Sequence, residues 1–153
     1  MEDLSRDQAM RILVDGEFAH LGVVSNGEPY VTPISYVVLD DALAFRTGPG
    51  RRMDAIRANP RVSVVTTDYD SASGGWRSAM MWGTASIIEN SDRKQEAVDA
   101  LLKKYRDIIG SPLSFSAFEP LAGFTFVVCV SMDEVTGRTS GGGFSPTLRP
   151  GRL

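Results

Sequence analysis

The order of strand-like and helix-like segments restricts the fold of this chain more than any other feature of its sequence. Six segments have the apolar or alternating pattern of strands, and three have the periodicity and capping residues of helices. The helices fall before the first strand, after the third and after the fifth, which excludes regular βαβ repetition. We therefore predict a mainly β protein built as a closed or split antiparallel barrel, because closure removes exposed strand edges. The predicted strands are 18–24, 29–39, 42–47, 61–68, 76–89 and 124–132, and the predicted helices are 5–15, 51–59 and 91–109.

Two signals shape the first hairpin. Asn26-Gly27 lies between apolar segments, and both residues tolerate positive φ, which predicts a tight turn. The return strand contains Pro33, which cannot donate a hydrogen bond to a neighbouring strand. Pro33 therefore marks an edge, a bulge or a widened point of the sheet. A plain edge bulge and a gap that leaves room for a ligand beside Thr32 and Ser35 are both open interpretations.

The segment 45–60, FRTGPGRRMDAIRANP, has the composition of an anion site. Arg46 and Thr47 end a strand, a Gly-Pro-Gly turn follows, and Arg51 and Arg52 begin a short helix. Such a turn brings backbone N–H groups, a hydroxyl and guanidinium groups into one small volume, which is what a phosphate requires. The planar fork of arginine can also meet two phosphate oxygens at once. A surface turn with solvated arginines is the alternative that the spacing leaves open.

The predicted fifth strand carries large side chains on one face. Trp76, Ser78, Met80 and Trp82 alternate along it, and Gly83 predicts a bend. Such a face is typical of a core or a subunit interface, and the alternative is a surface that binds a flat ring.

The remaining segments set the limits of the domain. We predict that residues 133–138 leave the sheet and that residues 139–153, rich in Gly, Ser and Pro, form a loose tail behind a domain of residues 1–138. Two predicted loops, 69–75 and 113–122, are the expected determinants of substrate choice.

Composition excludes several classes of function. A net charge of -3 argues against general nucleic-acid binding, no apolar run is long enough to span a membrane, and the start MEDLSRDQ is unlike a secretory signal. The single cysteine, Cys129, excludes an internal disulfide and a cysteine-rich metal site, and it favours a cytoplasmic setting and an inert core position. His20 is the one histidine, and the motifs HExxH, GxSxG, Walker A and GxGxxG are absent. An anion site without an obvious side-chain catalyst indicates that a bound cofactor does the chemistry.

Three stretches together resemble the pyridoxamine 5'-phosphate oxidase-like family of flavin-binding split barrels. They are HLGVVSNGEPYVTPISYVVLDDALAFRTGPGRRMDAIRANPRVSVV, GGWRSAMMWGTASIIEN and DEVTGR, in that order. The resemblance implies a six-stranded antiparallel split β-barrel of Greek-key type with flanking helices. It also implies a homodimer in which two FMN molecules lie in grooves between the subunits.

The same resemblance nominates the flavin-binding residues segment by segment. FRT resembles the strand end that contacts the flavin and its phosphate, and the basic pair after the turn resembles the phosphate clamp. PYVTPIS resembles the strand beside the isoalloxazine ring, and WRSAM resembles the strand that reaches the flavin across the dimer. The family often has lysine at or next to the second position of the basic pair, where this chain has Arg52 and then Met53. The nominated residues are Thr32, Pro33, Ser35, Arg46, Thr47, Arg51, Arg52, Trp76 and Ser78, with Arg138 as a further candidate near the ring or the substrate.

The C-terminal tail departs from the vitamin-forming oxidases of the family, which grip pyridoxal phosphate with Trp and Arg residues near their C-terminus. This chain ends in SGGGFSPTLRPGRL and has no equivalent. The expected activity is therefore flavin-dependent oxidation or reduction of another small molecule. Two alternatives stay open: a deazaflavin-dependent reductase on the same fold, and a non-enzymatic flavin- or haem-binding protein with His20 as axial ligand.

Overall fold

The computed structural model describes residues 1–109 and 125–140. These residues form nine strands and three helices, and every helix is separated from the next by at least two strands. In chain order the elements are β1 (Glu2–Leu4), α1 (Arg6–Asp15), β2 (Ala19–Ser25), β3 (Glu28–Ile34), β4 (Tyr36–Leu39), β5 (Ala42–Thr47), α2 (Arg51–Ala58), β6 (Arg61–Asp70), β7 (Gly75–Ile87), α3 (Ser91–Ile109), β8 (Phe126–Ser131) and β9 (Glu134–Ser140).

All strand pairs in the described ranges are antiparallel and form one curled sheet, which confirms the predicted fold class. The strand order is β3-β2-β6-β7-β8-β5-β4, and β9 pairs with both β7 and β1. Two half-sheets share β7, because Trp76–Trp82 pairs with β9 whereas Ala85–Ile87 pairs with β8. Gly83 lies at this change of partner, where a Cβ would collide with the backbone carbonyl of Ser131. The expected bend at Gly83 is thus the point where the sheet divides.

The capping box, the Asn-Gly turn and the third helix form as the sequence predicts. Ser5 and Gln8 exchange side-chain and backbone hydrogen bonds in a capping box that begins α1. Asn26 and Gly27 take φ angles of 54° and 79° in the turn between β2 and β3. The third helix has the predicted bounds, Ser91–Ile109.

The strand that contains Pro33 is interrupted. The predicted strand 29–39 is two strands, β3 and β4, with Ser35 between them. Since β3 ends the strand order, Pro33 lies on an edge, where its missing N–H leaves no gap in a ladder. The prediction of one continuous strand is therefore wrong, and the break falls two residues beyond the proline.

The prediction for residues 133–138 is also wrong. Residues 133–138 do not leave the sheet, because Glu134–Ser140 forms β9. Val135 and Gly137 are buried, and the alternate positions Glu134, Thr136 and Arg138 face solvent. A mostly polar segment can therefore form a strand with one buried face. The additional strands and the break raise the count from six to nine.

The predicted loop 69–75 is shorter than expected. β6 runs through Asp70 and β7 begins at Gly75, which leaves a four-residue turn. The Asp70 carboxylate accepts hydrogen bonds from the Ala72 amide and the Ser73 hydroxyl, and these bonds order the turn. The other predicted loop, 113–122, lies outside the described residues, as does the predicted tail after Ser140.

The core lies inside the curl of the sheet, closed by α1 and α2. Leu13, Leu21, Phe45, Met53 and Met81 are fully buried there, and burial of each such side chain stabilises the fold by about 1.5–3 kcal/mol. A smaller cluster joins α3 to the outside of the β5–β8 pair, through Ala44, Ala97, Val98 and Val127. This second cluster places α3 beside the break at Ser35.

Candidate functional site

A cavity of about 200 Å³ lies where the interrupted strand, the end of β5, the start of α2 and the later part of α3 meet. The described part of its lining carries two guanidinium groups and no carboxylate, imidazole or thiol. The remaining walls are apolar side chains and the backbone of the break. The lining residues are Pro33, Ile34, Ser35, Arg46, Arg52, Leu101, Leu102 and Tyr105.

Arg46 brings an unsatisfied positive charge to this cavity. It lies on β5 between Phe45 and Thr47, so alternation along the strand directs its side chain to the face opposite Phe45, the face on which Ala44 packs against α3. Its Nη1 atom is inaccessible to solvent and has no hydrogen-bond partner among the described residues. Burial lowers the pKa of Arg46, but a guanidinium remains protonated at neutral pH. A buried donor without an acceptor costs about 1–3 kcal/mol, and an anion in the cavity would remove that cost.

Arg52 is fixed against the edge strand. Its Nε donates to Thr32 Oγ1 at 2.9 Å and its Nη2 donates to the Pro33 carbonyl at 3.2 Å. Burial lowers the pKa of Arg52 as well. Neither Arg46 nor Arg52 forms a salt bridge within the described ranges, since the pairs there are Arg61–Asp133, Arg77–Asp68 and Arg138–Asp3. Thr32 thus orients one of the two cavity arginines.

The other residues of the predicted corner have different positions. The Nε of Arg51 donates to Ser25 Oγ at 2.9 Å, and its guanidinium lies 4.4 Å from the centre of the Tyr30 ring. Arg51 is therefore directed to the β2–β3 hairpin and does not line the cavity. Thr47 is buried, and its hydroxyl donates to the carbonyl of Gly48 at 3.3 Å.

The helical wall was not predicted as part of a site. Leu101, Leu102 and Tyr105 belong to the apolar stripe of α3, and that stripe predicts only packing. The one feature of the sequence that could have indicated this wall is Tyr105, because a buried tyrosine hydroxyl needs a hydrogen-bond partner. The Tyr105 hydroxyl bonds to the backbone of Tyr36 and of Glu17, and burial raises the pKa of Tyr105.

Trp76 and Ser78 do not meet the cavity within one chain. Both lie half-buried on the outer face of β7, where they pair in register with β6 and β9. The same face exposes 61% of Val31, 62% of Tyr69 and 37% of Met80. The structure therefore separates Trp76 and Ser78, the outer-face group, from the four nominated residues that line the cavity: Pro33, Ser35, Arg46 and Arg52.

His20 and Arg138 do not line the cavity, although His20 pairs across the strands with Pro33, which does. His20 is exposed on β2, on the face opposite its buried neighbours Ala19 and Leu21. The Nε of Arg138 donates to the Asp3 carboxylate at 3.1 Å on the surface.

Cys129 is not the core residue that its apolar surroundings predict. It is half-buried and lines a second, separate cavity of about 310 Å³ together with Asp41, Ser131 and Asp133. Burial raises the pKa of the Cys129 thiol, which favours its protonated form.

Within residues 1–109 and 125–140, no group of three His, Cys, Asp or Glu side chains is placed to hold a metal ion. No helix in these ranges is both long and apolar enough to cross a bilayer.

The curled antiparallel sheet, divided at β7 and opening onto an arginine-lined cavity, defines a split barrel. A sequence profile of the family described as pyridoxamine 5'-phosphate oxidase matches residues 5–139. The chain belongs to this family.

Individual proteins are similar to this chain over most of its length. An uncharacterized protein of Rhizobium meliloti (strain 1021) is 27% identical over 146 residues, which cover 90% of this chain and 93% of that protein. A FAD-binding protein from Mesorhizobium loti has a TM-score of 0.72 at 24% identity, over 92% of this chain and 96% of the other. A FAD- and heme-binding protein from Mycobacterium smegmatis has a TM-score of 0.65 at 22% identity, over 90% of this chain and 72% of the other. The structural similarities establish the fold.

Proposed function

We propose that this protein binds a flavin and that Arg46 and Arg52 hold its phosphate. The observation that carries the proposal is the solvent-inaccessible, unpartnered Nη1 of Arg46, in a cavity that also receives Arg52 and no described carboxylate. Two guanidinium groups in one cavity repel each other, and a phosphate would compensate both charges through charge-assisted hydrogen bonds. The family of the chain, together with the flavin bound by the Mesorhizobium loti relative, supports a flavin as the carrier of this phosphate.

FMN is the flavin that we propose, because one terminal phosphate matches one pair of guanidinium groups. Thr32 would hold Arg52 in its orientation, and Pro33 and Ser35 would border the ring on the side of the sheet. Leu101 and Leu102 offer an apolar wall of the kind that accepts a flat, weakly polar ring system. When bound, the flavin supplies hydride and electron transfer.

A longer cofactor is the second candidate. FAD, named for two of the similar structures, and a deazaflavin coenzyme both extend beyond the first phosphate. Arg57 is the observation in their favour, because its guanidinium lies 4.8 Å from the centre of the Phe126 ring and joins no salt bridge with a described residue. Its exposed planar face could stack on an adenine or meet a second anionic group.

We further propose that the protein is a homodimer in which the outer-face group completes the site. Trp76 and Ser78 would reach the flavin of the partner, since they do not line the cavity of their own chain. The support is the exposed apolar surface around them, which includes Tyr69 and Met80. Analytical ultracentrifugation of the full chain tests this proposal, and a monomer at micromolar concentration would contradict it.

The reaction that we propose is oxidation or reduction of a small molecule by the bound flavin. The described lining contains no carboxylate, imidazole or thiol to act as a general acid or base. The protein would therefore bind and orient the cofactor, and Arg46 and Arg52 would contribute binding energy. A haem-binding function has less support, because His20 is exposed on the outer sheet face and does not line the cavity.

The proposal is tested by the visible spectrum of the purified protein and by titration with FMN and FAD, followed by flavin fluorescence. Arg46→Met keeps the apolar stem of the side chain and removes its charge, so we expect FMN affinity to fall by more than about tenfold. Arg61→Met is the matched control, because Arg61 is exposed and pairs with Asp133 outside the cavity. Absence of any flavin uptake by the wild-type protein would refute the function, and unchanged affinity in Arg46→Met would refute the phosphate position.

A further inference from the structure

One side chain of α3 fastens the helical wall of the cavity to the strand break. Tyr105 is 1% exposed, and its hydroxyl accepts a hydrogen bond from the backbone amide of Tyr36 at 2.9 Å. The same hydroxyl donates to the carbonyl of Glu17 at 2.6 Å. Tyr36 is the first residue of β4, directly after Ser35, so the bond lies at the point where the strand is interrupted.

The neighbouring lysine strengthens this attachment. Lys104 Nζ donates to the carbonyl of Gly16 at 2.7 Å and lies 4.0 Å from the centre of the Tyr36 ring. Two consecutive residues of α3 therefore hold two separate segments of the chain: the connection between α1 and β2, and the start of β4. Since Tyr105 also lines the cavity, these bonds set the position of the helical wall relative to Ser35.

We propose that Tyr105 is a positioning residue for the ligand site, whose hydroxyl keeps the break at Ser35 in the shape that the ligand requires. This inference rests on the proposed flavin function for the identity of the ligand. Tyr105 acts through the backbone of Tyr36, because its hydroxyl bonds to the Tyr36 amide and to the Glu17 carbonyl. Burial raises the pKa of Tyr105, so the hydroxyl stays neutral and keeps both bonds at physiological pH.

The test compares two buried tyrosines. Tyr105→Phe removes the acceptor of the Tyr36 amide and keeps the ring. Tyr36→Phe removes a hydroxyl that donates to the Leu13 carbonyl at 2.7 Å, is equally buried and does not line the cavity. Tyr105→Phe loses the bonds to the Tyr36 amide and the Glu17 carbonyl, and Tyr36→Phe loses the bond to the Leu13 carbonyl, so both should lose stability towards urea and Tyr105→Phe should lose more. We expect FMN affinity to fall about five- to tenfold in Tyr105→Phe, and to change less than about twofold in Tyr36→Phe.

Amide hydrogen exchange provides a readout that does not need a flavin. In Tyr105→Phe, exchange should accelerate at Tyr36 and Ser35 more than in the rest of the sheet, because the Tyr36 amide loses its hydrogen-bond acceptor. Unchanged exchange at Tyr36, or equal losses of FMN affinity in both variants, would overturn the positioning role. If the wild-type protein takes up no flavin, the proposed function fails, and the exchange pattern alone decides this inference: local acceleration supports it and uniform acceleration overturns it.

Discussion

Two adjacent arginines of α2 should differ sharply in their effect on cofactor binding. Arg52 lines the cavity, and two hydrogen bonds to Thr32 and the Pro33 carbonyl fix its side chain in place. Arg51 is directed away, to Ser25 and the ring of Tyr30. The two residues have the same charge and lie on the same helix. Comparing Arg52→Ala with Arg51→Ala therefore separates direct contact with the phosphate from long-range electrostatic attraction of it.

The magnitude follows from the contacts. A charge-assisted hydrogen bond contributes about 1.5–3 kcal/mol, and a side chain that is already oriented loses little entropy on binding. Arg52→Ala should therefore weaken FMN binding by about 2 kcal/mol, a factor of about thirty. Arg51→Ala removes only a distant charge that salt screens, so its effect should stay below about threefold at physiological ionic strength.

Fluorescence titration with FMN at two salt concentrations measures both effects. The loss in Arg52→Ala should persist at high salt because the contact is direct, whereas any loss in Arg51→Ala should disappear. Urea unfolding of both variants serves as the control, since each loses a polar contact to the β2–β3 hairpin. Equal losses of affinity in the two variants, or a larger loss in Arg51→Ala, would refute the assignment of the phosphate to the cavity.

Two further predictions concern the frame of the site. Gly83→Ala should lower the free energy of unfolding by about 3 kcal/mol in urea titrations, because the added methyl group meets the backbone carbonyl of Ser131, which cannot move aside without breaking the strand pairing; a loss below 1 kcal/mol would contradict this close approach. The alkaline stability should depend on Tyr36 and Tyr105, since burial raises the pKa of both above the ordinary 10.0. The folded state then binds these protons more tightly, so their stabilising contribution is complete below pH 10 and is lost as pH rises further; Tyr36→Phe should show a shallower decline in unfolding free energy than the wild type.

The frame of the site could be predicted because its signals act over a few residues. A strand end, a glycine turn and a short helix follow one another in segment 45–60, and they place Arg46 and Arg52 at one cavity. The sequence could not distinguish Arg51 from Arg52. One residue of helical rotation, about 100°, directs the first to the hairpin and the second into the cavity, and this choice depends on how α2 packs on β2.

The helical wall could not be predicted because its contacts are distant in sequence. The bond between Tyr105 and Tyr36 spans 69 positions, and an apolar stripe does not reveal which tyrosine serves a backbone amide. The strand β9 was missed for another reason: its outward residues are polar, so its apolar signal is reduced to Val135. Trp76 and Ser78 remain predictions, since their proposed role requires a second copy of the chain.

The break at Ser35 has a mechanical consequence. The two terminal strands of the sheet, β3 and β4, are consecutive in the chain and are joined there by a single residue. The cavity is lined by Pro33 and Ile34 of β3 and by Ser35, so an occupant would contact one margin of the sheet and the residue that joins it to the other margin. Binding would then stabilise the rolled sheet. If the sheet of the empty protein opens at this junction, the free energy needed to close it is subtracted from the free energy of binding and lowers the apparent affinity.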